Sequence, residues 1–247
     1  MGKNSRMPKL HEIIKKAVLI SQYLFFIIKG DKIIYVVKKQ NLTYLSFAAL
    51  RDLKETIKSL EKKKIKGILI EAGCALGGSA IVISSYKREK RPLFVYDVFG
   101  MIPPPSLKDG TDVHERYNVI SSGQSIGLGG GTYYGYIDNL KRTVEKNFNT
   151  CNLELERNTI TLVEGLFQHT LRIKEEVAFA HIDSDWYESV MTCLKEIEPY
   201  LVLYGVLVID DYYDWSGCRV AVDEYFKDKK DKYLFLKKTK LHLIRMK

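Results

Sequence analysis

Residues 177–189 read VAFAHIDSDWYES, and residues 205–217 read GVLVIDDYYDWSG. In each stretch a short apolar run rich in β-forming residues ends in a pair of acids, Asp183 with Asp185 and Asp210 with Asp211. Such runs predict buried strands. Because parallel strands present their carboxyl ends at one edge of an open α/β sheet, the two acid pairs are expected to share a crevice.

Four carboxylates in one crevice repel one another strongly unless a cation or a proton lies among them. A hard, oxygen-seeking divalent ion such as Mg²⁺ is the expected partner. A single acid at a strand end is more often a solvated loop residue or a helix N-cap. Two acid pairs after two successive strands favour a metal site.

The flanking sequence alternates between strand and helix patterns. The predicted strands are 68–73, 93–99, 160–167, 177–183 and 205–211, and the predicted helices are 41–62, 77–86, 136–147 and 187–200. This alternation predicts a doubly wound α/β fold with a mostly parallel sheet. Residues 233–246 are expected to add a C-terminal antiparallel hairpin. Residues 101–132, with three prolines at 103–105 and five glycines within 123–131, are predicted to form a long loop that serves as a lid.

Composition limits the function classes. The chain has 247 residues and a formal charge of +9, and its basic runs are expected to be solvated faces, so no nucleic-acid partner is predicted. The four cysteines are widely spaced, which predicts a reducing, cytoplasmic location with no disulfide framework and no zinc site.

Residues 1–40 are predicted to form a basic, amphipathic helical extension before a domain at 41–247. The apolar run 17–28 is shorter than a membrane span and has no small-residue cleavage site after it. Three partners stay open for this helix: the domain itself, another copy in a homo-oligomer, or a membrane surface that it contacts peripherally.

The first predicted strand runs into IEAGCALGGS at 70–79. Its glycines (Gly73, Gly77 and Gly78) have relative positions one, five and six, unlike the one, three and six of the dinucleotide fingerprint. The pattern is typical of S-adenosylmethionine (SAM) sites, with Glu71 before the turn and Ser79 at the helix start. Any sharp turn also favours glycine, so the turn alone is weak evidence.

Two further strand ends strengthen the cofactor prediction. Asp97, at the end of the second strand, can accept hydrogen bonds from both hydroxyls of a ribose. Glu164 and Gly165, at the end of the third, would then lie at the adenine edge. His181, two residues before the first acid pair, is expected to be a buried core histidine more often than a site residue.

These residues resemble the macrocin O-methyltransferase group of class I SAM-dependent methyltransferases. The resemblance spans residues 43–226, through the motifs IEAGCALGGS (70–79), VEGLFQHTL (163–171), HIDSDWYES (181–189) and IDDYYDWSGCRVAVDEYF (209–226). The chain departs from the family in having Ser184 where glycine is usual, and in a longer segment at 101–136.

The resemblance implies a Rossmann-like, seven-stranded sheet, SAM as methyl donor and a Mg²⁺ ion. It also implies roles for five residues: Asp183, Asp210 and Asp211 as metal ligands, Asp185 as general base, and Thr43 closing over the methionine end of SAM. The implied reaction is methylation of a sugar hydroxyl in a glycoside, glycolipid or polysaccharide. A catechol-type O-methyltransferase and a non-catalytic SAM-binding protein are the alternatives.

Overall fold

The computed structural model describes residues 30–247 as a seven-stranded sheet packed with helices. The strands are β1 Ile68–Ala72, β2 Leu93–Asp97, β3 Ile160–Glu164, β4 Val177–Ile182, β5 Leu201–Ile209, β6 Tyr233–Lys237 and β7 Leu241–Arg245. The helices are α1 Lys32–Lys39, α2 Phe47–Lys62, α3 Gly78–Tyr86, α4 Thr111–Ser121, α5 Leu140–Thr150, α6 Phe167–Thr170, α7 Tyr187–Ile197 and α8 Ser216–Tyr225. Residues 1–29 of the predicted helical extension at 1–40, including the apolar run 17–28, lie outside the described residues.

The strand order is β3-β2-β1-β4-β5-β7-β6. The first five strands are parallel, and β7 runs antiparallel between β5 and β6. The predicted doubly wound sheet and its C-terminal hairpin are confirmed. The chain winds outward from β1 to β3 and then returns to β4, so a ligand crevice opens beyond the carboxyl ends of β1 and β4.

Alternating side chains of the strands fill two hydrophobic layers on opposite faces of the sheet. In β1, Leu69 belongs to the layer with α1, α2, α3 and α5, whereas Ile68 and Ile70 belong to the layer with α7 and α8. The same alternation recurs in β5, where Val206 and Leu207 enter opposite layers. A strand buried on both faces reads as a continuous apolar run, which is why these strands show no polar alternation in sequence.

Several predicted boundaries were wrong. The helix predicted at 41–62 begins at Phe47, because Ser46 Oγ accepts the Ala49 N–H at 3.1 Å and caps it. The helix predicted at 136–147 begins at Leu140, after a 3₁₀ turn at Tyr134–Tyr136. The third strand ends at Glu164, and β5 begins at Leu201, before Gly205.

The segment 101–132 is also not a structureless loop, because it contains α4. Val113 and Ile120 on this helix are buried in a small third cluster with Tyr133 and Trp186. The prolines and glycines on either side of the helix hid its short apolar face in the sequence. Of the helices in residues 30–247, none has the length and apolar character to cross a membrane.

Candidate active site

The carboxyl ends of β1, β4 and β5 open into a cavity of about 530 Å³. Its walls include predicted residues from both the cofactor and acid sets, namely Thr43, Ser79, Asp183, Asp185, Asp210 and Asp211. A smaller adjoining pocket is lined by Gly73, Asp97, Leu166 and Phe167. The two compartments meet at Asp183, Asp185 and Tyr134, which line both. Eight of the twelve predicted site residues therefore line these two pockets.

Four of the predicted cofactor residues line neither of these two pockets. They are Glu71, Gly77, Glu164 and Gly165. Glu71 is fully buried inside β1, where it accepts a short hydrogen bond from Ser79 Oγ. Glu164 is at the surface, 3.4 Å from Lys141 Nζ. Gly165 donates its N–H to the Asp97 carbonyl at 2.9 Å, so it fixes the end of β3 against β2.

The glycine turn after β1 requires glycine at two places. Gly73 has φ +87°, and a Cβ there would lie 1.7 Å from the Asp183 carbonyl oxygen, so only glycine lets β1 and β4 meet this closely. Gly77 has φ +86° and precedes α3. The left-handed region favours glycine at both positions.

Asp97 ties this turn to β2. One carboxylate oxygen, Oδ2, accepts the N–H groups of Cys74 at 2.7 Å and Ala75 at 3.2 Å, and Oδ1 accepts the Phe99 N–H at 2.7 Å. Burial raises the pKa of Asp97 despite these hydrogen bonds. A carboxylate offers about four lone-pair positions, so capacity is left for a ligand hydroxyl beside the pocket.

Beneath the cavity floor, His181 links β1 to β5. Its Nδ1 lies 3.2 Å from Glu71 Oε2, and its Nε2 lies 3.2 Å from Asp210 Oδ1. Burial alone would lower the pKa of His181, but the two carboxylates outweigh it and raise the pKa well above its usual range. His181 is thus a buried histidine, as expected, yet one that contacts the acid site. The strand register places Glu71 beside His181.

The four acids of the two pairs have unequal surroundings. Burial, and then Asp210, raise the pKa of Asp183 well above its usual range and that of Asp185 to about 6. Burial and Asp185 raise the pKa of Asp211. Asp210 differs, because His181 and Lys240 hold its pKa low against the effect of burial.

Asp185 also has an unusual backbone. Its φ is +54°, in the left-handed region, and its N–H donates to Asp211 Oδ2 at 3.0 Å. The bond couples the two acid pairs directly. A non-glycine residue in this conformation carries a local energetic cost, of the kind that recurs at functional sites.

Lys240 is the site residue that the sequence pattern missed. Its ammonium lies 2.9 Å from Asp210 Oδ2 and 2.7 Å from Asp214 Oδ2. In the antiparallel register Leu241 stands opposite Ile209, so the preceding lysine stands beside the acids that follow β5. No spacing rule along the chain links residues thirty positions apart. Lys240 comes close to Asp210 because β5 pairs with β7.

The chemistry of the donor set fits a hard divalent cation. Ligand atoms of His181, Asp183 and Asp210 all lie within 4.8 Å of one another, as do those of Asp210, Asp211 and Asp214. Four of these five residues are aspartates, whose carboxylates are ligands that Mg²⁺ prefers. Asp183 and Asp211 belong to different triads and have raised pKa values, which a nearby cation would reverse.

The lid segment (residues 101–132) supplies the caps of the two helices that follow the acids. The N-cap residues of α7 and α8 are Trp186 and Trp215, and neither makes a side-chain cap bond. Instead, Asp109 accepts the Tyr187 N–H at 2.8 Å and Asp112 accepts the Ser216 N–H at 2.9 Å.

The lid segment contacts the start of α8 closely. A Cβ at Gly217 would lie 1.8 Å from Asp109 Oδ1, and a Cβ at Gly110 would lie 2.4 Å from Ser216 Oγ. Neither glycine has room for a Cβ atom, so the lid segment packs directly against the helices that it caps.

Aromatic rings form the outer wall of the larger cavity. The indoles of Trp186 and Trp215 meet edge to face at 5.9 Å, and Trp186 donates its Nε1–H to the Pro103 carbonyl at 3.0 Å. The Arg116 guanidinium stands 5.8 Å from the centre of the Tyr133 ring. Tyr133 is 3% exposed, so it is a buried anchor of this wall.

Comparison with known proteins gives a consistent result. Residues 38–234 match the family described as macrocin-O-methyltransferase (TylF). Over 195 residues the chain is 25% identical to demethyldecarbamoylnovobiocin O-methyltransferase of Streptomyces niveus, covering 74% of this chain and 67% of that protein. Over 189 residues it is 24% identical to a tetracenomycin rhamnosyl 4'-O-methyltransferase of Streptomyces olivaceus, with the same coverage.

Solved structures agree on the fold. The O-methyltransferase NovP superimposes with a TM-score of 0.66 at 22% identity, covering 83% of each chain. The calicheamicin methyltransferase CalS11 superimposes with a TM-score of 0.55 at 15% identity, covering 98% of this chain and 87% of that one. With a family match over most of its length, this chain is an O-methyltransferase and belongs to the macrocin-O-methyltransferase (TylF) family.

Proposed function

We propose that this enzyme transfers the methyl group of SAM to a hydroxyl of a sugar, in a glycoside, glycolipid or polysaccharide, with the help of Mg²⁺. The observation that carries the proposal is the crevice in which both acid pairs face one cavity beside the glycine turn. Two relatives named for methylation of glycosylated natural products support the sugar acceptor.

The cofactor side of the site is assigned to residues around the first two strands. The turn after β1 brings Gly73 to the smaller pocket and Cys74 and Ala75 to the larger cavity. Asp97 offers its remaining lone pair to a ribose hydroxyl, and Thr43 and Ser79 line the wall of the larger cavity. Leu166 and Phe167 provide an apolar surface for an adenine ring. Glu71 and Gly165 then support these contacts from behind, through Ser79 and Asp97.

On the acceptor side, Asp183, Asp210 and Asp211 would hold the metal ion. When bound, Mg²⁺ supplies Lewis acidity, which lowers the pKa of a coordinated hydroxyl and orients it. Asp185 lines both compartments, which supports assigning its carboxylate as the acceptor of the hydroxyl proton. The tryptophan pair and the lid segment shield this transfer from water, and aligned reactants supply much of the rate.

The test is calorimetric titration of the full chain with SAM, with Mg²⁺ present or with EDTA, followed by transfer of labelled methyl groups from SAM to a panel of acceptors. We expect SAM binding in both conditions, and transfer to glycosides only with Mg²⁺. Transfer to small catechols and not to glycosides would show an aromatic-diol enzyme. Full transfer in EDTA would contradict the metal assignment.

Association into a homo-oligomer and peripheral membrane contact through residues 1–40 stay predictions. The part of that extension which the structure describes, α1, buries Ile34 and Val37 in the domain core.

A further inference from the structure

The acidic crevice contains a positive charge of its own. Lys240 Nζ contacts Asp210 at 2.9 Å and Asp214 at 2.7 Å, and its side chain is 16% exposed against 55% for Asp214. The other oxygen of Asp210 faces His181 at 3.2 Å. Both oxygens of Asp210 are therefore engaged before any ligand binds.

The fold holds Lys240 in this position. The β6–β7 turn is tied down by the Thr239 N–H, which donates to Asp52 at 3.2 Å, and by the Lys238 N–H, which donates to the Lys240 carbonyl at 3.3 Å. Leu241 is buried opposite Ile209. The backbone of Lys240, at the first position before β7, is therefore held beside the end of β5, where its ammonium reaches Asp210.

The other acids of the two pairs have no such partner. Within residues 30–247, no lysine, arginine or histidine nitrogen lies within 4.0 Å of the carboxylates of Asp183, Asp185 or Asp211. The crevice is therefore divided: Asp210 contacts both Lys240 and His181, and the other three acids have no such contact within that distance. A fixed positive charge a few ångströms from a divalent cation repels it, and the repulsion is strong where water is scarce.

We propose that Lys240 is a resident counter-ion that shares Asp210 with the incoming divalent cation and so weakens metal binding at this site. This inference rests on the metal assignment of the proposed function. It predicts that Lys240 keeps the acids together in the metal-free protein, and that its removal makes the protein more dependent on metal and tighter in binding it.

The experiment uses Mn²⁺ as a spectroscopic and calorimetric probe on the full chain. We compare the native protein with K240M, which loses the charge, K240R, which keeps it, and K238M, which removes an exposed lysine from the same turn. The dissociation constant for Mn²⁺ should fall at least tenfold in K240M and stay near the native value in K240R and K238M. Without metal, K240M should melt at a lower temperature, and Mn²⁺ should raise its melting temperature more than that of the native protein.

If K240M binds Mn²⁺ no more tightly than the native protein does, the proposed role of Lys240 is wrong, and the metal assignment is unaffected. Absence of Mn²⁺ binding in every variant, K240M included, overturns the metal assignment and this inference with it. A second neutral variant, K240Q, keeps the test decisive if the methionine variant does not fold.

Discussion

At the scale of single residues, the four aspartates of the acid site differ in their surroundings. Asp210 is paired with His181 and Lys240, whereas Asp185 stands in a left-handed backbone conformation beside the cavity. Identical side chains therefore take different roles because their neighbours differ. Substitutions that remove charge but preserve shape should separate those roles.

Asp185→Asn is the first such substitution. Asparagine tolerates the left-handed backbone better than most residues, so the local fold should persist. Loss of the proton acceptor should lower kcat by roughly 10² to 10⁴-fold. Metal and SAM binding should stay near native values in calorimetry. If instead metal binding is lost together with turnover, Asp185 is a ligand and not the base.

Asp210→Asn should behave differently. It removes the carboxylate that both triads share, so we expect loss of Mn²⁺ binding together with loss of turnover, while SAM affinity changes less than threefold. Asp223→Asn serves as the control, because Asp223 is an exposed acid one helix further on. Native methyl transfer by Asp210→Asn would remove Asp210 from the mechanism.

The acid pairs themselves were predictable, because they follow their strands directly in the sequence. The partners of Asp210 could be predicted only in part. His181 was noticed because it lies two residues before Asp183, but its contact with Glu71 depends on the register of β1 with β4. Lys240 reaches the site only through the pairing of β5 with β7, which no local pattern encodes.

At the scale of helices and strands, the ends of α7 and α8 depend on a distant segment. Tryptophan stands at both N-cap positions, and the caps come from Asp109 and Asp112 in the lid segment. Sequence inspection finds no cap because it looks at neighbouring positions. It missed α4 for a related reason, since this helix packs its short apolar face on a cluster specific to this fold.

Asp112→Ala tests the cap of α8. It leaves the Ser216 N–H without its acceptor and should destabilise the protein by about 1 kcal/mol, as loss of an N-cap does. Amide exchange at the start of α8 should accelerate, which mass spectrometry of exchanged peptides detects. Glu115→Ala, an exposed change on the same helix, should leave exchange there unaltered. Unchanged protection in Asp112→Ala would show that the contact does not hold the helix end.

Glu198 joins three elements at the opposite edge of the sheet. Its carboxylate accepts hydrogen bonds from Tyr225 on α8 and Lys229 after it, each at 2.8 Å, and from Tyr233 on β6. Burial would raise the pKa of Glu198, but these donors lower it below its ordinary value. A lowered pKa means that Glu198 stabilises the fold above its unfolded-state pKa, and that this contribution is lost as the pH falls through the folded-state pKa.

Glu198→Gln should therefore be less stable than the native protein at pH 7, and the difference should shrink as the pH falls below about 4.3, the ordinary pKa of glutamate. Urea unfolding of both proteins across this range measures it. A difference that does not change with pH would mean that the charge of Glu198 contributes nothing.

At the scale of the whole molecule, two apolar layers fix the sheet and leave its carboxyl edge open. The order of the strand and helix patterns predicted the doubly wound sheet, since each strand is long enough and apolar enough to be recognised. The family resemblance then predicted the seven strands. Element boundaries were less predictable, because side chains such as Ser46 set them through local hydrogen bonds.

Cofactor binding should stabilise the whole domain. A ligand that binds only the folded state at a concentration of one hundred times its Kd adds about 2.7 kcal/mol to the free energy of unfolding. SAM should therefore raise the melting temperature of the native protein and of Asp210→Asn alike, because Gly73 and Asp97 line the smaller pocket and Asp210 lines only the larger cavity. A shift in the native protein alone would show that the two halves of the site are coupled.

The two ends of the lid segment should differ in how well they tolerate insertions and substitutions. Asp109 and Asp112 cap two helices at once, so insertions near them would disturb both acid pairs. Beyond α4 the constraint is local: a Cβ added at Gly123 or Gly130 would meet nothing within 4 Å, whereas one at Gly127 would lie 2.1 Å from the Thr132 carbonyl oxygen. We expect selection for new acceptors to accept insertions beside Gly123 and Gly130 and to reject them at 106–112. Directed evolution of acceptor range should begin in that glycine-rich half.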